Sequence, residues 1–331
     1  MMTTPYRIVF MGTPDFAVPS LKALDQDERF EVVLTVSQPD RPQGRKQKIV
    51  PTPIHSYATE HGIPCYQPES AKTEAAQEEI AAAKPDFIVT AAYGQILPEA
   101  LLELPKFRAV NVHASLLPRY RGASPVHWSI INGDKETGVT IMEMIKAMDA
   151  GGIFRQKSTP IEADETADAL MDRLAILGAA ILPDCLIDIA EGNLQPVPQD
   201  ESKASYVARL SRDTGVINWQ DSPQAIHNLV RGTYPWPGAS TYNDGKRVKI
   251  HRTRLVSTDD MPQDYEVTPA APGELVYQNK RLFIACGAAN VTSDVLEILE
   301  IQMPGGKRLT AEQCAHNLPL DLQFGGPDAK T

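Results

Sequence analysis

Along the first half of the chain, apolar residues gather into short unbroken runs separated by stretches of helical period. Arg7–Met11 (RIVFM), Val32–Val36 (VVLTV), Asp86–Ala92 (DFIVTAA) and Ala109–Val112 (AVNV) are such runs. Their length and β-branched content predict strands, and the lack of polar alternation predicts burial on both faces. Between them, Phe16–Leu24 carries apolar residues at helical spacing, Pro51–His61 has a proline near its first turn, and Ala71–Ala83 is rich in Ala, Glu and Gln. Each predicts a helix. Strands and helices alternating in this way build an α/β fold, here a Rossmann-like, doubly wound, mostly parallel sheet. Crossovers in such sheets are right-handed, and ligands dock beyond the carboxyl ends of the strands.

The alternation continues through strands at Val139–Met144 (VTIMEM) and Ile153–Ser158. A long helix follows over Thr166–Glu191, with Gly192 at its cap. Gly192–Ser205 is polar, contains Pro196 and Pro198, and predicts a linker. From Tyr206 the texture changes to short β-rich runs at Val248–Leu255, Gly273–Tyr277, Arg281–Ala285 and Leu296–Ile301. Turn signals at Asn243-Asp244-Gly245 and Gly305-Gly306 separate them. Short strands with turns predict a small C-terminal OB-like β-barrel. The expected organisation is an α/β domain over 1–191, a linker over 192–205, the barrel over 206–318 and a loose tail over 319–331.

With 331 residues, 42% hydrophobic and 22% charged, the composition is that of a soluble globular protein longer than one domain usually requires. No apolar run is long enough to cross a bilayer, and the N-terminus lacks the basic and apolar regions of a secretion signal. A cytoplasmic monomer with no membrane partner is expected. The four cysteines, at 65, 185, 286 and 314, are too dispersed for a zinc site or a disulfide framework. No metal is expected. Gly12 stands without a G-x-G-x-x-G pattern, which argues against a nicotinamide cofactor. The net charge of −10 argues against indiscriminate nucleic-acid binding, but allows a local basic stripe.

Chemistry concentrates in Asn111–Trp128 (NVHASLLPRYRGASPVHW). Asn111 and His113, at i and i+2 near a strand end, face the same way. The amide can stabilise the oxygen of a tetrahedral intermediate, and the imidazole can take a proton from an attacking amine, which suits acyl transfer. Asn-x-His alone is a weak signal, because such pairs are common on surfaces and in packing. Asp149, in the turn Met148-Asp149-Ala150-Gly151-Gly152, either bonds its own backbone or lies beside His113 and orients it. His127 is expected to pack or cap on its helix, and Trp128, Trp219 and Trp236 to lie in the core.

This segment, with GVTIMEMIKAMDAGGI after it, resembles the catalytic region of the folate-dependent formyltransferases. The resemblance implies that Asn111, His113 and Asp149 form the active centre. It also implies that Ser115, Leu116, Leu117 and Pro118 line a reduced-folate site, the formyl donor being 10-formyltetrahydrofolate. The pterin would sit near Ala91–Leu97 and Asp149. Members of this family differ in acceptor, and two further segments discriminate: Met11–Ala17 (MGTPDFA) and Thr35–Thr52 (TVSQPDRPQGRKQKIVPT). Both are similar to the branch that formylates initiator methionyl-tRNA, and the similarity extends to Tyr234-Pro235-Trp236-Pro237-Gly238 in the barrel. In that branch the second segment is an exposed loop reaching the acceptor end of the tRNA, its arginine corresponding to Arg45. The loop here holds Arg41, Arg45, Lys46 and Lys48 against the single acid Asp40, which suits contact with an RNA backbone or single-stranded end, although such a loop by itself is also what a solvated surface offers. Arg119 and Arg121, and Lys246, Arg247, Lys249, Arg252 and Arg254 of the barrel, are further candidates for the basic stripe. An amino-sugar or other small-amine formyltransferase remains an alternative, as does a non-catalytic RNA-binding protein on the same scaffold.

Overall fold

The computed structural model describes residues 4–44, 47–256, 271–287, 294–314 and 323–326. Contacts divide the chain into two units. One comprises Met1–Pro125, Glu136–Pro160 and Met171–Val207; the other comprises Val126–Lys135, Ile161–Leu170 and Ala208–Thr331.

The first unit begins with β1 (Tyr6–Gly12), α1 (Val18–Asp25) and β2 (Phe30–Val36). A hairpin of β3 (Arg41–Gln43) and β4 (Lys48–Val50) comes next, then α2 (Pro53–His61), β5 (Cys65–Tyr66) and α3 (Glu74–Ala82). β6 (Phe87–Ala91), α4 (Glu99–Leu102), β7 (Arg108–His113) and β8 (Arg121–Gly122) follow, and the chain then enters the second unit through α5 (Pro125–Ile131) before returning. The remaining elements are β9 (Glu136–Glu143), β10 (Ile153–Pro160), α6 (Ala167–Ala190) and β11 (Tyr206–Val207). The central sheet has the order β10-β9-β7-β6-β1-β2-β5. β5, β2, β1, β6 and β7 run parallel; β9 pairs antiparallel with β7, and β10 pairs antiparallel with β9. Ile8–Met11 and Phe87–Val89 are fully buried, which explains their unbroken apolar sequence. The chain winds outward from β1 in both directions, so the strand order reverses between β1 and β6. In sheets of this kind, ligands dock beyond the carboxyl ends of the strands at such a reversal.

Thr52 and Thr73 cap α2 and α3 with side-chain bonds to His55 N and Ala76 N. Gly192 ends α6 in the left-handed region, as its sequence position predicts. The polar stretch 192–205 is bound into the first unit. Val197 bridges Ile153, Gln199 donates to the carbonyls of Asp149 and Gly151, and Ser205 exchanges bonds with Pro118, Tyr120 and Arg121.

In the second unit α7 (Pro223–Gly232) packs on an antiparallel sheet. The sheet contains β12 (Ala239–Asn243), β13 (Lys246–Leu255), β14 (Leu275–Gln278), β15 (Arg281–Cys286), β16 (Asp294–Gln302) and β17 (Arg308–Thr310), followed by α8 (Ala311–Cys314). Its order is β12-β13-β16-β15-β14, with β17 also beside β16. The segment Gln323–Gly325 joins the two edges. Gly325 exchanges bonds of 2.9 and 3.1 Å with Tyr242, Phe324 N donates to Gly273 O, and Gln323 bridges Glu274. The sheet thereby closes on itself around Val248, Ile250, Leu282, Ile284, Leu296, Ile298 and Phe324. Trp219 lies in this core and donates to Thr241 Oγ1 at 2.9 Å, whereas Trp128 is half-buried. The expected core position of Trp236 is corrected: it is 53% exposed in a loop with cis bonds at Tyr234–Pro235 and Trp236–Pro237. Among the described residues no helix is long and apolar enough to cross a membrane.

Burial lowers the pKa of three histidines of this unit, His127, His227 and His251, and in each case outweighs the nearby acids Asp168, Asp164 and Glu300. Unfolded histidine titrates near pH 6.5. As pH falls through that value the unfolded chain takes up protons that the folded chain refuses, so stability is complete above it and lost below it. The melting temperature is expected to hold above about pH 7 and to fall by several degrees between about pH 6.5 and 5.5, above the range where most carboxylates titrate. A flat profile over that interval would show that these histidines protonate freely in the fold.

Candidate active site

β7 delivers Asn111 and His113 to the carboxyl edge of the sheet, one strand beyond the reversal. Val112, between them, packs against Gly178 of α6. Strand alternation therefore turns Asn111 and His113 to the opposite face. In register beside Asn111 stand Thr90 of β6 and Met142 of β9, and beside His113 stands Thr140.

Asn111 is held by its oxygen. The Thr90 hydroxyl donates to Asn111 Oδ1 at 2.8 Å. Nothing among the described residues accepts from Asn111 Nδ2, so the amide presents its donor side.

His113 is held by one nitrogen. It is 6% exposed, and Nε2 lies 3.0 Å from the Tyr120 carbonyl, which can only accept. Nε2 therefore carries a proton and Nδ1 is the basic nitrogen of the neutral ring. Nδ1 faces Asp149 Oδ1 at 3.8 Å, beyond direct hydrogen bonding but close enough for a charge to be felt. The Tyr120 carbonyl, which sequence alone does not reveal, is the direct anchor of the ring.

Asp149 sits at φ 51°, in the left-handed region. Its Oδ2 accepts from Gly122 N at 2.8 Å, and Gln199 holds its carbonyl at 2.8 Å. The glycines around this turn are sterically required. A Cβ on Gly151 would lie 1.9 Å from Glu143 O, and one on Gly122, at φ 109°, would lie 2.4 Å from Val207 O.

The Ser115–Pro118 segment is a pinned loop ending in a cis Leu117–Pro118 bond. Thr140 is its post: the hydroxyl donates to Ser115 O at 2.6 Å and accepts from Leu117 N and from Gln156 Nε2. Ser115 Oγ donates to Arg119 O, and Gln156 also donates to Leu117 O. Ser115 and Leu117 are buried, while Leu116 and Pro118 are half-buried. On the Ala91–Leu97 side, Tyr93 is buried and its hydroxyl pKa is pushed up to about 12 by burial, so it stays protonated. Gln38 Nε2 ties this loop down through Tyr93 O.

Arg121 departs from expectation. As a candidate for RNA contact it is corrected: its side chain is 1% exposed. The guanidinium forks onto both oxygens of Glu201, onto Gln199 Oε1 and onto the Tyr206 hydroxyl. It fastens β8, which carries Asp149's partner Gly122, to β11. Arg119 is exposed, with its guanidinium over the Tyr120 ring.

The basic loop forms the β3–β4 hairpin. Arg41 meets Glu69 at 2.5 Å with both side chains mostly exposed, and Lys48 is exposed. Arg45 and Lys46 lie outside the described residues. The loop's acid, Asp40, turns inward. Burial pushes its carboxyl up, but bonds from Gln67, Thr52 N and His55 outweigh this and hold it below the usual range. Ile49 is 64% exposed beside Lys48. In the second unit Arg254 pairs with Glu297 and Arg252 with Glu300, both arginines being exposed; Arg247 is half-buried, and Lys246 and Lys249 of β13 are exposed. Among the described residues no group of three or more His, Cys, Asp or Glu is placed to hold a metal ion.

Residues 6–186 match the family described as formyl transferase, and residues 209–319 match the formyl transferase C-terminal domain. The chain is 45% identical over 310 residues to a methionyl-tRNA formyltransferase of Citrifermentans bemidjiense, covering 93% of this chain and 92% of that protein. Identity to one of Geobacter metallireducens is 42% over 305 residues, covering 92% and 93%. Among solved structures, an N-formyltransferase from Helicobacter canadensis, determined with folinic acid and dTDP-3-aminofucose, superposes with a TM-score of 0.63 at 19% identity. The match covers 89% of this chain and 99% of that one, and is a likeness of fold.

Proposed function

From the premise that this chain belongs to the methionyl-tRNA formyltransferase family, we propose that it transfers a formyl group from 10-formyltetrahydrofolate to the α-amino group of initiator methionyl-tRNA. The observation that carries the chemistry is the pairing of a donor at Asn111 Nδ2 with a base at His113 Nδ1 on one strand edge.

The acceptor amine attacks as the neutral base. A free α-amino group has a pKa of about 7.7–8.0, so a usable fraction is unprotonated at neutral pH. Its nitrogen bonds to the formyl carbon, and the carbonyl oxygen becomes an oxyanion that accepts a hydrogen bond from Asn111 Nδ2. His113 Nδ1 takes the proton shed by the amine, and Asp149 stabilises the resulting imidazolium across the short gap. The carbon–nitrogen bond to the folate then breaks. The departing N10 takes that proton, which restores neutral His113. Ser115–Pro118 and Ala91–Leu97 are the folate-facing loops of this proposal.

The β3–β4 hairpin is the RNA contact in this reading. An exposed ion pair such as Arg41–Glu69 is weak and is readily exchanged for phosphate. The test is formyl transfer from 10-formyltetrahydrofolate to charged initiator tRNA, with uncharged tRNA and a free amino sugar as controls. Formylation of the charged tRNA alone is expected, and transfer to the sugar instead would overturn the acceptor. In the same assay Arg41→Ala with Lys48→Ala is expected to raise KM for tRNA and flatten its salt dependence by about two phosphate contacts. KM for the folate should not move. A raised folate KM would give the hairpin a different role.

A further inference from the structure

Asn111 is useful only in one of its two amide orientations. With Nδ2 toward the substrate it donates to a developing oxyanion; turned over, it aims a carbonyl at that same negative charge. We propose that Thr90 is the positioning residue that selects the productive orientation. The proposal rests on the oxyanion role given to Asn111 above.

Thr90 is Asn111's register partner on the adjoining parallel strand, so the two side chains rise on the same face. Thr90 is 4% exposed, and its hydroxyl has few places to send its single proton. Asn111 Oδ1 is at 2.8 Å, Met144 Sδ is a weak acceptor at 3.1 Å, and the Val110 carbonyl is at 3.4 Å. The bond to Oδ1 is the best of these by acceptor strength and length together. If the amide turned over, its NH2 would donate to Thr90 Oγ1, and the hydroxyl proton would be left with the sulfur or the distant carbonyl. The flip is therefore opposed by a buried hydroxyl that loses its acceptor. β-Branching helps as well, because it restricts χ1 and keeps the hydroxyl on station. In this proposal Thr90 acts through Asn111 rather than on the reacting atoms.

Thr90→Val keeps the shape and removes the proton. It is expected to lower kcat by about tenfold, the effect of one neutral buried hydrogen bond, with KM for folate and tRNA unchanged. Thr90→Ser restores the hydroxyl and should recover most of the lost rate. The deciding measurement is the double-mutant cycle. In an Asn111→Ala background, Thr90→Val should cost nothing further. An equal loss in that background, or a Ser variant as poor as Val, would make Thr90 a structural residue and overturn the proposal. So would a kcat for Thr90→Val equal to the parent's. If Asn111→Ala itself keeps full activity, the oxyanion role fails and this inference fails with it. If Asn111→Ala is slow and Thr90→Val is not, only the present inference fails.

Discussion

Replacing His113 by alanine is expected to lower the rate of formyl transfer by about 10²–10⁴-fold, the range for removal of a positioned general base. The geometry gives the loss a particular form. Nε2 is committed to the Tyr120 carbonyl, so the ring meets the reaction through Nδ1 alone. His113→Gln preserves a polar side chain of similar reach but supplies no base, and it should be as slow as alanine. KM for the folate should change little, because the loops proposed to bind it are pinned by Thr140, Gln156 and Gln38 rather than by His113. Raising the pH above about 8 should speed parent and variant alike by supplying more neutral amine, and should leave the deficit in place, because the proton His113 takes is shed only after attack. A variant that retained the parent rate at pH 7 would remove His113 from the mechanism.

Arg121→Ala is the second large effect, and it falls on stability. The guanidinium is buried and spends its donors on Glu201, Gln199 and Tyr206. Glu201 is itself 68% exposed, so its carboxylate rehydrates when the partner is lost, and the full penalty of an abandoned buried charge does not arise. What is lost is the guanidinium's packing volume and several charge-assisted bonds, on the order of 3 kcal/mol in total. For a cooperative unit of this size that corresponds to a fall of roughly 6–12 °C in melting temperature. Gln199 would also be freed, and Gln199 holds the Asp149 and Gly151 carbonyls. Activity below the melting temperature should therefore fall too. Lysine cannot fork between two partners and should rescue neither property. A melting temperature within a degree or two of the parent's would mean that the β8–β11 seam closes without the arginine.

The parts of the fold legible in the sequence are those where one physical cause dominates. β1 and β6 carry unbroken apolar runs, Ile8–Met11 and Phe87–Val89, because both faces are covered there, and α2 and α3 announce themselves through Thr52, Thr73 and their helix-forming interiors. Asn111 and His113 could be placed on one edge because strand alternation is strict. What escaped detection depends on partners distant in sequence. Arg121 in a polar turn reads as a solvated cation, and only Glu201 and Tyr206, some eighty residues on, make it a buried rivet. Thr90 reads as an ordinary strand former, since its importance lies in a register with β7. The stretch 192–205, polar and proline-bearing, has the composition of a linker, yet Gln199, Glu201 and Ser205 bond it to Asp149, Arg121 and Tyr120. Trp236 was expected in the core because large aromatics usually are buried; its loop carries it into solvent instead.

The closure of the second unit by Gln323–Gly325 bears on how the chain is made. The bonds from Gly325 to Tyr242 join residues far apart in sequence, and contacts of that kind form late because a long loop must be ordered first. In a chain growing from its N-terminus, β12 and the start of β14 wait as open edges until these residues emerge. Open edges are the sites where strands of neighbouring chains add on. Between synthesis of β16 and that of Gln323–Gly325, these edges stand open to such addition. A ribosome stalled after β17 but before Gln323 would hold these strands as a sheet not yet closed.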